Sequence, residues 1–196
     1  KKKVISEILS FAITIGGVLF IKFFIVSPVI VNGESMYNTL HHKDIMLLNE
    51  FTYYFNDIER YDVVVIKHDG EYLIKRIIGL PGEFVEAKDG DVYINGKKID
   101  DKYEYSETED FDVVKVLDNQ YFVLGDNRAD SLDSRYFGCF DRSSIRGKTN
   151  FILFPLDRFG IKKALYENKE LGSESVCVML IGQCFMKWPQ ELCPSM

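Results

Sequence analysis

The sequence predicts a mainly β protein, built of antiparallel sheet behind one N-terminal transmembrane helix, on three observations. An apolar run over residues 8–26 follows Lys1, Lys2 and Lys3. Beyond Pro28 the pattern turns to short runs rich in β-branched and aromatic residues. Turn-forming pairs such as Asn95-Gly96 and Pro81-Gly82 separate those runs. The chain has 196 residues, 46% of them hydrophobic and 28% charged. That is enough to bury a core in one medium domain with a short appendage.

The helix comes first. Residues 8–26 are apolar except for Ser10, Thr14, Gly16, Gly17 and Lys22. As a helix they reach roughly 28 Å, close to the hydrocarbon thickness of a bilayer. Lys22 is late enough to snorkel to the far headgroups. Lysines ahead of the run put the N-terminus in the cytoplasm and the rest of the chain outside. Two rival readings exist. A cleavable secretory signal needs small residues at alternate positions, and residues 27–31 (SPVIV) offer none. A buried core helix needs polar neighbours for Lys22, and none is evident. Pro28 is expected to end the helix.

The strands follow in order: residues 61–67 (YDVVVIK), 72–78 (YLIKRII), 91–94 (DVYI), 120–124 (QYFVL) and 149–154 (TNFILF). Asn95-Gly96 closes a hairpin, because Asn-Gly accepts the positive φ angles of a type I′ turn. Residues 103–118 are acidic and aromatic and read as an exposed excursion. The organisation expected is a start and anchor over 1–28, a β-rich body over 29–166 and an atypical tail over 167–196. The tail holds Cys177, Cys184 and Cys193, whose spacings match no usual metal motif. Cys139 stands alone in the body, so no disulfide framework is expected there.

Charge and motifs exclude several classes. The net charge of −6, from 24 Lys+Arg against 30 Asp+Glu, argues against a nucleic-acid partner. No P-loop, G-x-G-x-x-G or zinc-finger spacing occurs, so no metal or other cofactor is expected.

Four segments carry the chemistry together: residues 32–40 (NGESMYNTL), 61–67 (YDVVVIK), 73–82 (LIKRIIGLPG) and 125–138, the last opening with G-D-N-R-x-x-S-x-D-S-R. A serine hydroxyl needs a base to take its proton. The only histidines are His41, His42 and His68, and no Ser-His-Asp arrangement suggests itself. A Ser-Lys dyad is the other solution. Strand periodicity puts Leu73 and Ile77 on the face of Lys75 and Arg76 on the opposite one. Apolar neighbours disfavour the ammonium, so the Lys75 amine should lose its proton more easily than usual.

Together, in this order and behind an anchor, these segments resemble the type I signal peptidases, and the single anchor and compact body are most similar to the Gram-positive form. The resemblance covers residues 1 to 160. It implies coiled antiparallel sheets carrying Ser35 as nucleophile and Lys75 as general base. It further implies that Ser131 hydrogen-bonds the lysine and that Asp133 and Arg135 form a supporting ion pair. The oxyanion hole would use the backbone N–H of Ser35. Some relatives add a hydroxyl side chain two residues before the nucleophile, where this chain has Gly33. The implied partners are the signal peptides of exported preproteins and the lipid bilayer, and the implied specificity is for small residues at the first and third positions before the cut. Asp126 and Asn127 read as turn-shaping, Met36 as part of an apolar rim or cleft, and His41 and His42 as loop residues. Two positions depart from the pattern: Lys43 and Tyr61 stand where the family often has glycine, which puts the local turns in question.

Three rivals remain at this stage. A soluble self-cleaving Ser-Lys protease of the repressor type fits neither the anchor nor the acidic charge. An inactive membrane-bound binding relative does not explain the intact Ser35, Lys75 and Ser131. A narrow-specificity processing enzyme for surface appendage subunits shares every feature above.

Overall fold

The computed structural model describes residues 2–24 and 26–161. Helix α1 (Lys2–Phe24) has 23 residues. Its side chains at Ile5, Ile8, Leu9, Phe11, Ile13 and Ile15 are all exposed. Among the described residues no helix is long and apolar enough to cross a membrane. The tail expected over 167–196 lies outside the described residues.

Twelve strands are described after the helix: β1 (Val26–Ile30), β2 (Ile45–Asn49), β3 (Val63–His68), β4 (Glu71–Gly79), β5 (Phe84–Lys88), β6 (Asp91–Ile94), β7 (Lys97–Lys98), β8 (Phe111–Lys115), β9 (Gln120–Leu124), β10 (Phe140–Asp141), β11 (Ile145–Phe154) and β12 (Gly160–Ile161). They form two sheets. The larger runs β1-β2-β11-β3-β4-β9-β10, with β12 paired to β11; the smaller runs β7-β6-β5-β8. Every pairing is antiparallel.

Packing explains why β3 shows no alternation. Val63, Val64, Val65 and Ile66 are all buried, because apolar clusters cover both faces of the sheet there. One cluster gathers Val64, Ile66, Ile77, Val123 and Phe140. Another joins the two sheets through Ile78, Phe122, Val85 and Val92. A third, around Val31, Met36, Leu40, Met46 and Ile152, lies beneath the segment that carries Ser35.

The expected strands are present, with three corrections. The helix ends at Phe24, and Pro28 lies inside β1 opposite Leu47. A proline is tolerated there because β1 is an edge strand, where the missing N–H costs no ladder bond. Residues 103–118 are not a bare excursion: β8 pairs with β5, and Val116 and Thr108 are buried. Strand β11 starts at Ile145 rather than 149. The Asn95-Gly96 turn has φ of +52° and +75°, as a type I′ turn requires. Asp69-Gly70 and Asp89-Gly90 adopt the same signs at two further hairpins.

Candidate active site

Ser35 is held on a turn whose neighbours are anchored below it. Met36 and Leu40 are each 1% exposed and sit in the third cluster, so the backbone on the C-terminal side of Ser35 is fixed by burial. Met36 is therefore core beneath the groove described below rather than rim. On the other side, Gly33 has φ of +98°, a conformation that favours glycine, and its N–H donates to His42 Nδ1 at 3.2 Å. His41 stacks on Tyr37 at 5.1 Å between ring centroids. Among the described residues no acceptor takes the N–H of Ser35.

Lys75 reaches this turn from β4. It pairs in register with Val64, and Leu73 and Ile77 share its face. Its side chain is 3% exposed, yet its Nζ stands 2.7 Å from Ser35 Oγ. Burial penalises the ammonium and lowers the lysine pKa to about 8, while the Asp133 carboxylate pulls the other way. Burial wins, so the amine is substantially neutral under mildly alkaline conditions.

The segment after β9 locks the pair in place. The Asn127 N–H donates to the Ser35 carbonyl at 3.0 Å, and Asn127 Nδ2 donates to the Glu34 carbonyl at 3.3 Å. Gly125 lies so close that a β-carbon there would sit 2.5 Å from the Ser35 carbonyl oxygen and 2.3 Å from Ser131 Oγ. Asp133 is fully buried; Arg135 grips it with Nε at 2.9 Å and Nη2 at 2.9 Å. Such a two-pronged bond fixes orientation as well as charge. Asp133 also accepts the Gly125 N–H at 3.0 Å and the Ser131 hydroxyl at 2.7 Å. Asp133 and Arg135 thus form an ion pair. The Ser131 hydroxyl donates to Asp133, and no hydrogen bond joins it to Lys75 among the described residues. Its proton goes to the carboxylate because that is the stronger acceptor within reach.

A second buried fork was not foreseen. Arg76, next to the lysine and on the opposite face, donates to fully buried Asp126 at 2.7 and 2.6 Å. Thr39 donates to the same carboxylate at 2.5 Å, and the Arg76 guanidinium lies 3.6 Å from the centroid of the Tyr103 ring. Asp126 therefore does more than shape a turn: it ties β4, the turn after Ser35 and the segment after β9 together. The signal was available, since an arginine on the buried face of a strand needs a carboxylate partner. Lys43 and Tyr61 both adopt left-handed backbone conformations, with φ of +70° and +71°, which glycine takes at lower cost.

A groove leads away from the pair. A cavity of about 680 Å³ is bounded by residues 29–32 on one side and 71–75 on the other, with Ser35 and Met36 at one end. Both walls are unpaired strand edges. Strand β1 pairs only with β2, and residues 71–75 pair only with β3, because β9 joins β4 from Arg76 onward.

Fold and relatives together define the class, a serine peptidase with a β-rich body. Residues 4–154 match the family model described as signal peptidase, peptidase S26, and the chain belongs to that family. It is 39% identical over 170 residues to signal peptidase I S of Bacillus subtilis, spanning 80% of this chain and 92% of that protein. It is 40% identical over 151 residues to a signal peptidase I of Bacillus amyloliquefaciens, spanning 71% of this chain and 82% of that one. A crystal structure of a signal peptidase I from Enterococcus faecalis matches with a TM-score of 0.44 and 35% identity, over 47% of this chain and 97% of that chain.

Proposed function

We propose that this chain is a membrane-anchored endopeptidase that removes signal peptides from exported preproteins, with Ser35 as nucleophile and Lys75 as general base. The observation that carries the reading is a buried amine 2.7 Å from a serine hydroxyl at the end of an apolar groove. The neutral amine accepts the Ser35 proton as Oγ attacks the scissile carbonyl. The Ser35 N–H, free of any other acceptor, stabilises the oxyanion. The Lys75 ammonium then gives its proton to the departing amine of the mature protein, leaving an acyl-enzyme on Ser35. In the second half-reaction Lys75 takes a proton from water, the hydroxide attacks the acyl carbonyl, and the Lys75 ammonium returns that proton to Ser35 Oγ as the signal peptide departs as a carboxylate. Ser131, Asp133 and Arg135 act as positioning residues: the arginine fork fixes Asp133, which fixes the Ser131 hydroxyl and the Gly125 N–H beside the dyad.

The two free edges support an extended substrate, because each offers unpaired backbone N–H and C=O groups to a strand laid between them. The preference for small residues at the first and third positions before the cut is carried over from the resemblance to the family.

Residues 8–26 form the proposed anchor, with the N-terminus cytoplasmic, the catalytic body over 29–166 outside and the tail over 167–196 apart from it. The helical backbone over Lys2–Phe24 and the bare apolar side chains of its first half support this reading. Such an anchor keeps Ser35 near the surface where a substrate's own apolar segment resides, which raises its effective concentration. The test is cleavage of a preprotein with an Ala-x-Ala site by the chain in detergent, beside Ser35→Ala. Cutting after the second alanine by the parent alone is expected. Equal cutting by both would remove Ser35 from its role.

A further inference from the structure

The groove holds one charged group that the chemistry above does not use. Of the residues lining it, Lys75 and Glu71 alone are charged, and Lys75 belongs to the dyad. Glu71 opens β4 and is exposed, and among the described residues no ion pair claims it. Its cross-strand partner His68 is engaged elsewhere, 3.6 Å from Asp69 and packed on the rings of Phe137 and Phe140. The rest of the lining is largely aliphatic, with Val29, Ile30, Leu73 and Ile74 among it. A lone carboxylate at the far end of an apolar channel is a recognition element without an assigned ligand.

Strand geometry says which part of a substrate meets it. Glu71, Leu73 and Lys75 alternate on one face of β4. Lys75 lies four residue steps beyond Glu71, roughly 13 Å at the rise of a strand. A substrate strand running along β4 with its first residue before the cut beside Lys75 brings its fifth beside Glu71. The groove takes the signal-peptide side of the bond, because its walls are apolar and its β1 wall continues directly from α1. We infer that Glu71 is a specificity-determining residue, which favours a cationic or hydrogen-bond-donating side chain at the fifth position before the scissile bond and disfavours an acidic one. The inference rests on the proteolytic reading and adds to it a charge preference upstream of the small-residue positions.

The test uses the full chain in detergent at low ionic strength, where charge pairing is least screened. Three preproteins are compared, alike except for Lys, Ala or Glu at the fifth position before an Ala-x-Ala cut. With the parent enzyme, kcat/KM for the Lys substrate should exceed that for the Glu substrate by about threefold to fivefold, the range of a partly exposed charge pair. The difference should reside in KM, since Glu71 is remote from the reacting atoms. Glu71→Gln should bring the ratio close to one, and Glu71→Lys should reverse it. Coincident thermal melts of the three enzymes control for folding. A Lys-to-Glu ratio that survives Glu71→Gln overturns the inference while leaving proteolysis standing. Failure of the parent to cut the Ala substrate strikes the proteolytic reading itself, and the inference with it.

Discussion

At the scale of single residues, the proposed role of the Lys75 amine as base would link activity to stability. Its pKa falls from 10.5 unfolded to about 8 folded, because burial penalises the charge. Between those values the unfolded chain binds the additional proton, so stability rises with pH across that window. Below pH 8 the penalty is complete, on the order of 3 kcal/mol; it is relieved as pH climbs toward 10.5. Lys75→Met, which keeps the volume and removes the charge, should therefore raise Tm at pH 7 while cutting kcat/KM by about a thousandfold or more. Thermal melts and preprotein cleavage read the two effects, and an active Lys75→Met enzyme would end the dyad. In the parent, kcat/KM should climb through pH 8 as the amine is freed, so a profile flat from pH 5 upward would contradict a lysine base. The meeting of Ser35 and Lys75 was legible in the sequence because each lies in a distinctive motif and a serine nucleophile needs a base. Arg76 and Asp126 were not read as a pair, since nothing local joins two residues 50 positions apart. The Ser131 hydroxyl was assigned to the lysine by resemblance, whereas the buried Asp133 carboxylate competes for it successfully.

At the scale of elements, the turns carry the more interesting departures. Lys43 and Tyr61 adopt the left-handed conformation that glycine occupies at lower cost. Lys43 is exposed, so Lys43→Gly loses little packing and should stabilise the fold by about 0.5–1 kcal/mol. A raised denaturant midpoint with an unchanged slope would register it; a lowered midpoint would mean that the turn carries no strain. Tyr61→Gly should go the other way, because it removes the ring contact with Tyr103 and the hydroxyl bond to the Asp100 carbonyl. Five of the twelve strands described, β3, β4, β6, β9 and β11, were legible from β-branched and aromatic runs. Strands β1, β2, β5, β10 and β12 were missed because two to five residues give too little periodicity to read unless a turn signal adjoins them, as Asn95-Gly96 does for β6 and β7. Strand β8 was hidden by the charged and exposed residues on its outer face, such as Asp112 and Lys115.

At the scale of the whole molecule, arginine–carboxylate pairs with little exposure join segments distant in sequence: Arg76 meets Asp126, Arg128 meets Asp101, and Arg158 meets Asp44, while Arg135 meets Asp133 within one turn. Breaking one partner leaves an uncompensated charge in a low-dielectric interior. Asp126→Asn should thus cost about 3–5 kcal/mol and loosen the Ser35 turn, seen as a lower denaturant midpoint together with a lower kcat. A stability unchanged by Asp126→Asn would mean that water reaches the Arg76 guanidinium. Removing residues 171–196 should leave preprotein cleavage unaltered, and a folded but inactive truncation would give the tail a function. The groove has a consequence for inhibitors. Its two walls present main-chain groups, so a bound peptide is read through its own backbone before its side chains. A peptidomimetic with alternate amide nitrogens methylated would keep every side chain yet lose the donors that match the walls, and should fail to compete where its unmethylated twin succeeds.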